Sequence, residues 1–173
     1  MLDFNNNFYT DTKTLLSYIN GFLHVLEQLN FFTNHVPTFY VQQIERCDSY
    51  NVSICKHLND VNYDVSFKEV INWREEFEKA ASSFFESFYE DVHILNEHQF
   101  TTDNKKEQIR DMLHMSNVLQ KYIALMDELI IDKSKFFEVY VDNSKGEFYE
   151  CEYKDFLVDN ANGLFFIHFG MSD

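Results

Sequence analysis

From Ser66 to about His98 the sequence keeps one rhythm: Phe67, Val70, Ile71, Trp73, Phe77, Ala81, Phe84, Phe88, Val92 and Leu95 fall mostly three or four positions apart. That spacing predicts one long helix with an aromatic stripe turned to a core. Ser66 and Glu69 spell the S-x-x-E capping box that would start it. The other side carries Glu69, Glu76, Ser83, Glu90 and Glu97 at heptad spacing, flanked by Glu75 and Glu86. A helix built this way needs further amphipathic elements to cover its aromatic side, and the rest of the chain supplies candidates.

Thr10 or Asp11 can cap a first helix whose stripe is Leu15, Ile19, Phe22, Leu26 and Leu29, widened by Leu16 and Leu23. Gly21 in its interior predicts close packing there. Pro37 suits the first position of a second helix, running to about Leu58 with Tyr40, Ile44, Cys47, Asn51, Ile54 and Leu58 inward. Asn51 and the Asp48-Ser49 pair make it the weakest helix, with Asp48 the natural place for a break. Asp103, or Asn104 with Glu107, caps a fourth helix with Ile109, Met112, Ser116, Leu119, Ile123, Met126 and Ile130 on one stripe.

Beyond residue 132 the period changes to two. Phe137, Val139 and Val141 alternate with Phe136, Glu138 and Tyr140, and Tyr149, Cys151 and Tyr153 alternate with Phe148, Glu150 and Glu152. Asp142 to Gly146 reads as the loop between them. After a turn at Asp159–Gly163, Leu164 to Phe169 is apolar on both faces except for His168, so this strand is expected centrally or under helices. The fold expected is α+β and mainly α: an antiparallel bundle of about four helices followed by a small C-terminal antiparallel β-sheet of about three strands. Residues 1–173 are expected to form a single domain, with 1–132 the bundle and 133–173 a β-hairpin plus a third strand packed on it.

Composition narrows the function. Asp and Glu number 29 against 14 Lys and Arg, a net charge of −15. Phosphate contacts need cations, so direct nucleic-acid binding is disfavoured, while a basic protein partner is favoured. The hydrophobic share of 45% and the 19 Phe argue against disorder. No basic leader followed by an apolar run and no apolar span long enough for a bilayer occur, so no membrane association is expected. Cys47 and Cys55 fall on one expected helix roughly 12 Å apart, too far for a bridge. The three cysteines then read as reduced thiols in a cytoplasm. Scarce Gly, Pro, Ala and Arg beside abundant Phe, Tyr, Asn, Ile and Lys reflect AT-rich codons, as in a low-GC bacterium, its phage or a plasmid.

Catalytic constellations are weak. Asp142 with Glu152-Tyr153-Lys154 spells the D…E-x-K of metal-dependent nucleases. The expected hairpin, however, puts the two acids at opposite ends of a strand, roughly 17 Å apart. His24, His57, His93, His98 and His114 lie on expected helices, but E-x-x-H occurs once, at Glu90–His93, where di-metal bundles use two copies. No G-x-S-x-G occurs, and the four glycines are isolated rather than gathered in a phosphate loop. No catalytic residue, metal or cofactor is expected.

The acidic stripe and the charged sheet remain. Partner contact is expected at Glu69, Glu76, Glu86, Glu90, Glu97, Tyr89, Glu138, Tyr140, Glu150 and Glu152, carboxylates standing in for phosphates beside aromatic anchors. The function expected is that of a small acidic, non-enzymatic inhibitor of a basic partner such as a nuclease, toxin or nucleic-acid-binding protein, of the immunity or phage anti-defence kind. The alternatives are an adaptor subunit of a larger assembly, including a homodimer through open sheet edges, and a histidine-dependent metal-binding bundle enzyme.

Overall fold

Five strands form one antiparallel sheet in the order β1-β5-β4-β3-β2. The computed structural model describes residues 11–30, 36–59, 63–95, 115–142 and 149–172, with the backbone alone for 29–30, 85–95 and 115–117. In chain order the elements are α1 (Thr12–Asn30), β1 (Val36–Ile44), α2 (Tyr50–His57), β2 (Asp64–Glu69), α3 (Trp73–Leu95), α4 (Met115–Leu129), β3 (Lys135–Asp142), β4 (Glu152–Asn160) and β5 (Gly163–Ser172). The described residues thus hold four helices and a five-stranded sheet, which overturns the mainly α bundle with a small three-stranded sheet. Two of the five strands, β1 and β2, come from the part of the chain expected to be helical bundle.

The two missed strands share a cause. Val36 to Ile44 is rich in β-branched and aromatic residues, and α1 lies against it. Pro37 is accommodated because β1 is an edge strand, where a residue without an N–H can face away from the ladder. Ser66 and Glu69, expected to cap the long helix, sit inside β2, where Val65 is buried and Phe67 half-buried. The helix starts later, at Trp73. Asn72 precedes it, its backbone carbonyl accepting from the Glu76 N–H and its side-chain amide donating to Glu75 Oε2 at 2.7 Å. Cys47 lies in the connection before α2, whose cap is Ser49. The expected cap of the fourth helix lies outside the described residues; α4 is described from Met115.

Both faces of the sheet are covered. On one, α1, α3 and α4 bury Leu15, Ile19, Leu23, Phe77, Ala81, Phe84, Tyr122 and Met126 against Phe39, Phe136, Phe156, Phe165, Ile167 and Phe169. Gly21 is not part of this packing, since a side chain there would meet nothing within 4 Å. On the other, α2 brings Ile54 over Ile44, Val65, Val139, Val141, Leu157 and Phe166, with tyrosines around the margin. This explains why β5 is apolar on both sides: it runs second from the edge, between β1 and β4, with a cluster on each face.

The two edges differ. On β1, α1 satisfies the outward backbone groups of Val41 and the Phe39 N–H. Asn20 Nδ2 donates to the Val41 carbonyl and its Oδ1 accepts from the Val41 N–H, both at 2.8 Å, and the Phe39 N–H donates to Glu27 Oε1 at 2.6 Å. On β2 the Val70 N–H donates to the Phe136 carbonyl at 2.8 Å. By the alternation of antiparallel ladders, Val65, Phe67 and Glu69 then turn theirs outward. No hydrogen bond from another described residue reaches those groups.

Candidate functional site

The densest polar cluster is built by strand register. β4 and β5 join through a tight turn in which Asn160 pairs with Gly163 and the Asn162 N–H donates to Asn160 Oδ1 at 2.9 Å. Counting back from that turn puts Asp155 directly opposite His168, and the β1–β5 register puts Tyr40 on the other side of His168. Directly opposed residues share a face, so the three side chains meet.

Asp155 has no exposed surface and His168 only 2%. His168 Nδ1 lies 2.7 Å from Asp155 Oδ1, and the Tyr149 hydroxyl donates to Asp155 Oδ2 at 2.6 Å. On the far side of the imidazole, Nε2 is 3.8 Å from Glu150 Oε1, while the Ser172 hydroxyl bonds the other Glu150 oxygen. The Tyr40 ring packs on His168 with centroids 4.9 Å apart, and its hydroxyl lies 3.3 Å from His57 Nε2 on α2. Gly170 leaves room for the ring: a Cβ there would stand 2.3 Å from His168 Nε2.

Burial governs the electrostatics. It raises the Asp155 carboxyl above the ordinary aspartate range, against the pull of His168 and Tyr149. It raises the Tyr149 phenol far above its ordinary value, with the Asp155 charge adding to the effect, so Tyr149 stays a donor. Tyr40 is raised by burial and then by Asp155 and Glu150. His57 is lowered by burial and by the His168 charge. The arrangement can hold a proton between Asp155 and His168 while locking β1, β4 and β5 together. The imidazole presents Nε2 to the Glu150 carboxylate rather than to a serine or cysteine. Among the described residues no group of three or more His, Cys, Asp or Glu is arranged to hold a metal ion.

Of the residues expected at a partner surface, those whose side chains are described lie on β2, α3, β3, β4 and the segment before β4 rather than along one helix. Glu69 lies exposed at the end of β2, not on the helix, and Glu76 is half-buried in the first turns of α3. Glu86, Tyr89 and Glu90 are on α3 where only the backbone is described, and Glu97 lies outside the described residues. Glu138 is 4% exposed and faces inward, bonded by Lys154, with Lys68 Nζ 3.7 Å away. Burial alone would raise its carboxyl, but bonds from Lys154 and Tyr140 outweigh that and hold it below the ordinary glutamate range. Tyr140 is 43% exposed, and its phenol is pushed up to about 12 by burial, Glu138 and Glu76. Glu150 belongs to the His168 cluster, and Glu152 is exposed at the start of β4. Asp142 ends β3 at the same end of the sheet where Glu152 begins β4, which corrects the expectation of a strand's length between them. There the strands part, and the Tyr153 hydroxyl bridges the gap, accepting from the Val141 N–H at 3.2 Å and donating to the Val141 carbonyl at 2.8 Å.

What these expectations missed is the corner between β2 and α3. Ile71 is 99% exposed there, between Glu69 and the Glu75–Glu76 pair. Its place in the apolar spacing had marked it for the core.

Compared with known proteins, the chain matches no protein family, no curated protein and no solved structure. No helix among the described residues is long and apolar enough to cross a membrane.

Proposed function

We propose that this chain is a small acidic binding protein that docks on a basic partner protein and neutralises it, as an immunity or anti-defence inhibitor does. The observation that carries this reading is Ile71: a wholly exposed branched aliphatic side chain at the corner between β2 and α3, with Glu69, Glu75 and Glu76 close to it in sequence in a chain of net charge −15. An apolar anchor ringed by charge is the usual make-up of an interface centre and rim. The carboxylates steer a cationic partner and the anchor supplies the desolvated contact. The half-exposed Tyr140, within the electrostatic reach of Glu76, extends the same surface along β3.

The test is affinity capture from extract of the source cell, run in parallel with the native chain, Ile71→Ala and the double variant Glu75→Gln/Glu76→Gln. The reading expects a basic protein held by the native chain, released by salt, and lost or weakened tenfold or more with each variant, about 1.4 kcal/mol or above. A captured set that is the same for all three chains overturns it.

A further inference from the structure

We infer that the open edge of β2 is a self-complementary surface that pairs with β2 of a second copy of this chain, antiparallel and about a two-fold axis at Ser66, joining the two sheets. The inference does not rest on the basic-partner reading, and the surface used is the strand edge rather than the Ile71 corner.

Three observations select this occupant and this register. The first is the asymmetry of the edges: Asn20 and Glu27 occupy the outward groups of Val41 and the Phe39 N–H at the middle of β1, whereas no described residue bonds those of Val65, Phe67 and Glu69. An edge left with unpaired N–H and C=O groups is a template for another strand. The second is the order of charges. With Ser66 on the axis, Asp64 of each copy faces Lys68 of the other, and Val65 faces Phe67. Because Val65 and Phe67 are the residues whose backbone groups point outward, each such pair exchanges two hydrogen bonds. Moving the axis to Phe67 would instead set Asp64 against Val70 and Val65 against Glu69, leaving the charges without partners. The third is that Asp64 already has a like charge opposite it, Asp142 on β3. Directly opposed like charges destabilise a sheet, and Lys68 of the second copy offsets this from the free side. Lys68 is able to reach: its side chain is 65% exposed, and its present partner Glu138 also has Lys154.

The net charge gives the pairing a signature. Two copies at −15 repel at long range, and salt screens that repulsion over a Debye length of roughly 8 Å at physiological strength. The short backbone bonds are little affected, so salt strengthens this association where it weakens a contact with a basic partner.

The experiment is cysteine cross-linking of the full chain under mild oxidation. Ser66→Cys places two thiols on the axis in a pair without mutual backbone bonds, where Cα atoms stand about 4.5 Å apart, within disulfide reach. Each variant is also made with Cys151→Ser, since Cys151 is exposed. The expected result is that most Ser66→Cys chain becomes a disulfide-linked dimer, with at least tenfold less from Lys68→Cys and the link regained in Asp64→Cys/Lys68→Cys. Sedimentation of the unmodified chain should show a dimer fraction that rises with salt. Equal cross-linking of Ser66→Cys and Lys68→Cys overturns the register. A chain that sediments as monomer at every salt concentration overturns the pairing, and this readout needs no variant to fold.

Discussion

Asp155 Oδ1 lies 2.7 Å from His168 Nδ1 at the centre of a sheet that buries both residues, directly opposite one another on β4 and β5. Removing one member of a buried pair leaves the other without its partner, at a cost of about 3–5 kcal/mol. Asp155→Ala and His168→Ala are each expected to lower stability by that amount. The double variant should cost well under the sum, because the second change removes the group the first one stranded. Urea unfolding of the three variants measures the coupling, and additive losses would show that the pair does not act as a unit. Tyr149→Phe, which deletes one donor to Asp155, is expected to cost about 1–3 kcal/mol.

Gly170 serves the same centre. An added Cβ would stand 2.3 Å from His168 Nε2, so Gly170→Ala forces the imidazole off its present position. Overpacking of this kind costs about 1–3 kcal/mol. In a His168→Ala background the clash with the imidazole is absent and only the 3.1 Å approach to the Glu150 carboxyl carbon remains, so the Gly170→Ala penalty should shrink, as thermal melts of the two single variants and the double variant would show.

Much of that centre was legible in the chain. Once the turn at Asn160–Gly163 is placed, counting outward sets Asp155 opposite His168, and His168 is the polar residue in the otherwise apolar run Leu164–Phe169. The alternation of tyrosines and acids sets the second strand of the hairpin at Phe148–Tyr153, whereas β4 runs from Glu152 to Asn160, and that shift hides the register. The helices α1, α3 and α4 were visible because their apolar spacing continues over several turns. β1 and β2 were not. Tyr40 and Ile44 stand four apart, and Phe67, Val70 and Ile71 fit the period of the helix that follows, so short runs satisfied both periods. Only the sheet waiting to be completed on either side decides between them. The first member of the acidic stripe is displaced for a related reason: a heptad count carried back into β2 enrols Glu69 in a helix it does not belong to.

Glu138 gives the chain an acid-side pH dependence. Its carboxyl is held below the ordinary glutamate value in the folded state by Lys154 and Tyr140. The folded state therefore gives up that proton more readily than the unfolded one. Its stabilisation is complete above the unfolded value, about 4.3, and is lost as pH falls through the lowered folded value. Glu138→Gln should flatten the stability profile over that acid range, measured by urea midpoints at stepped pH. Lys154→Ala, which leaves the buried carboxylate with Lys68 and Tyr140 alone, should destabilise by about 2 kcal/mol at neutral pH.

Asn20 protects an edge. Its amide satisfies both outward groups of Val41, so Asn20→Ala opens β1 as well as removing two bonds. The expected cost is about 1–3 kcal/mol, together with a new tendency to associate into species larger than a dimer, because both sheet edges are then open. Light scattering at matched concentration, native against variant, detects it.

The basic-partner account is tested most directly by calorimetric titration of the captured partner into the native chain and into Ile71→Ala at several salt concentrations. The account predicts that affinity for the native chain falls steadily as salt rises, and that Ile71→Ala weakens binding at every salt concentration by about tenfold or more. An affinity indifferent to salt, or equal for the two chains, would contradict it.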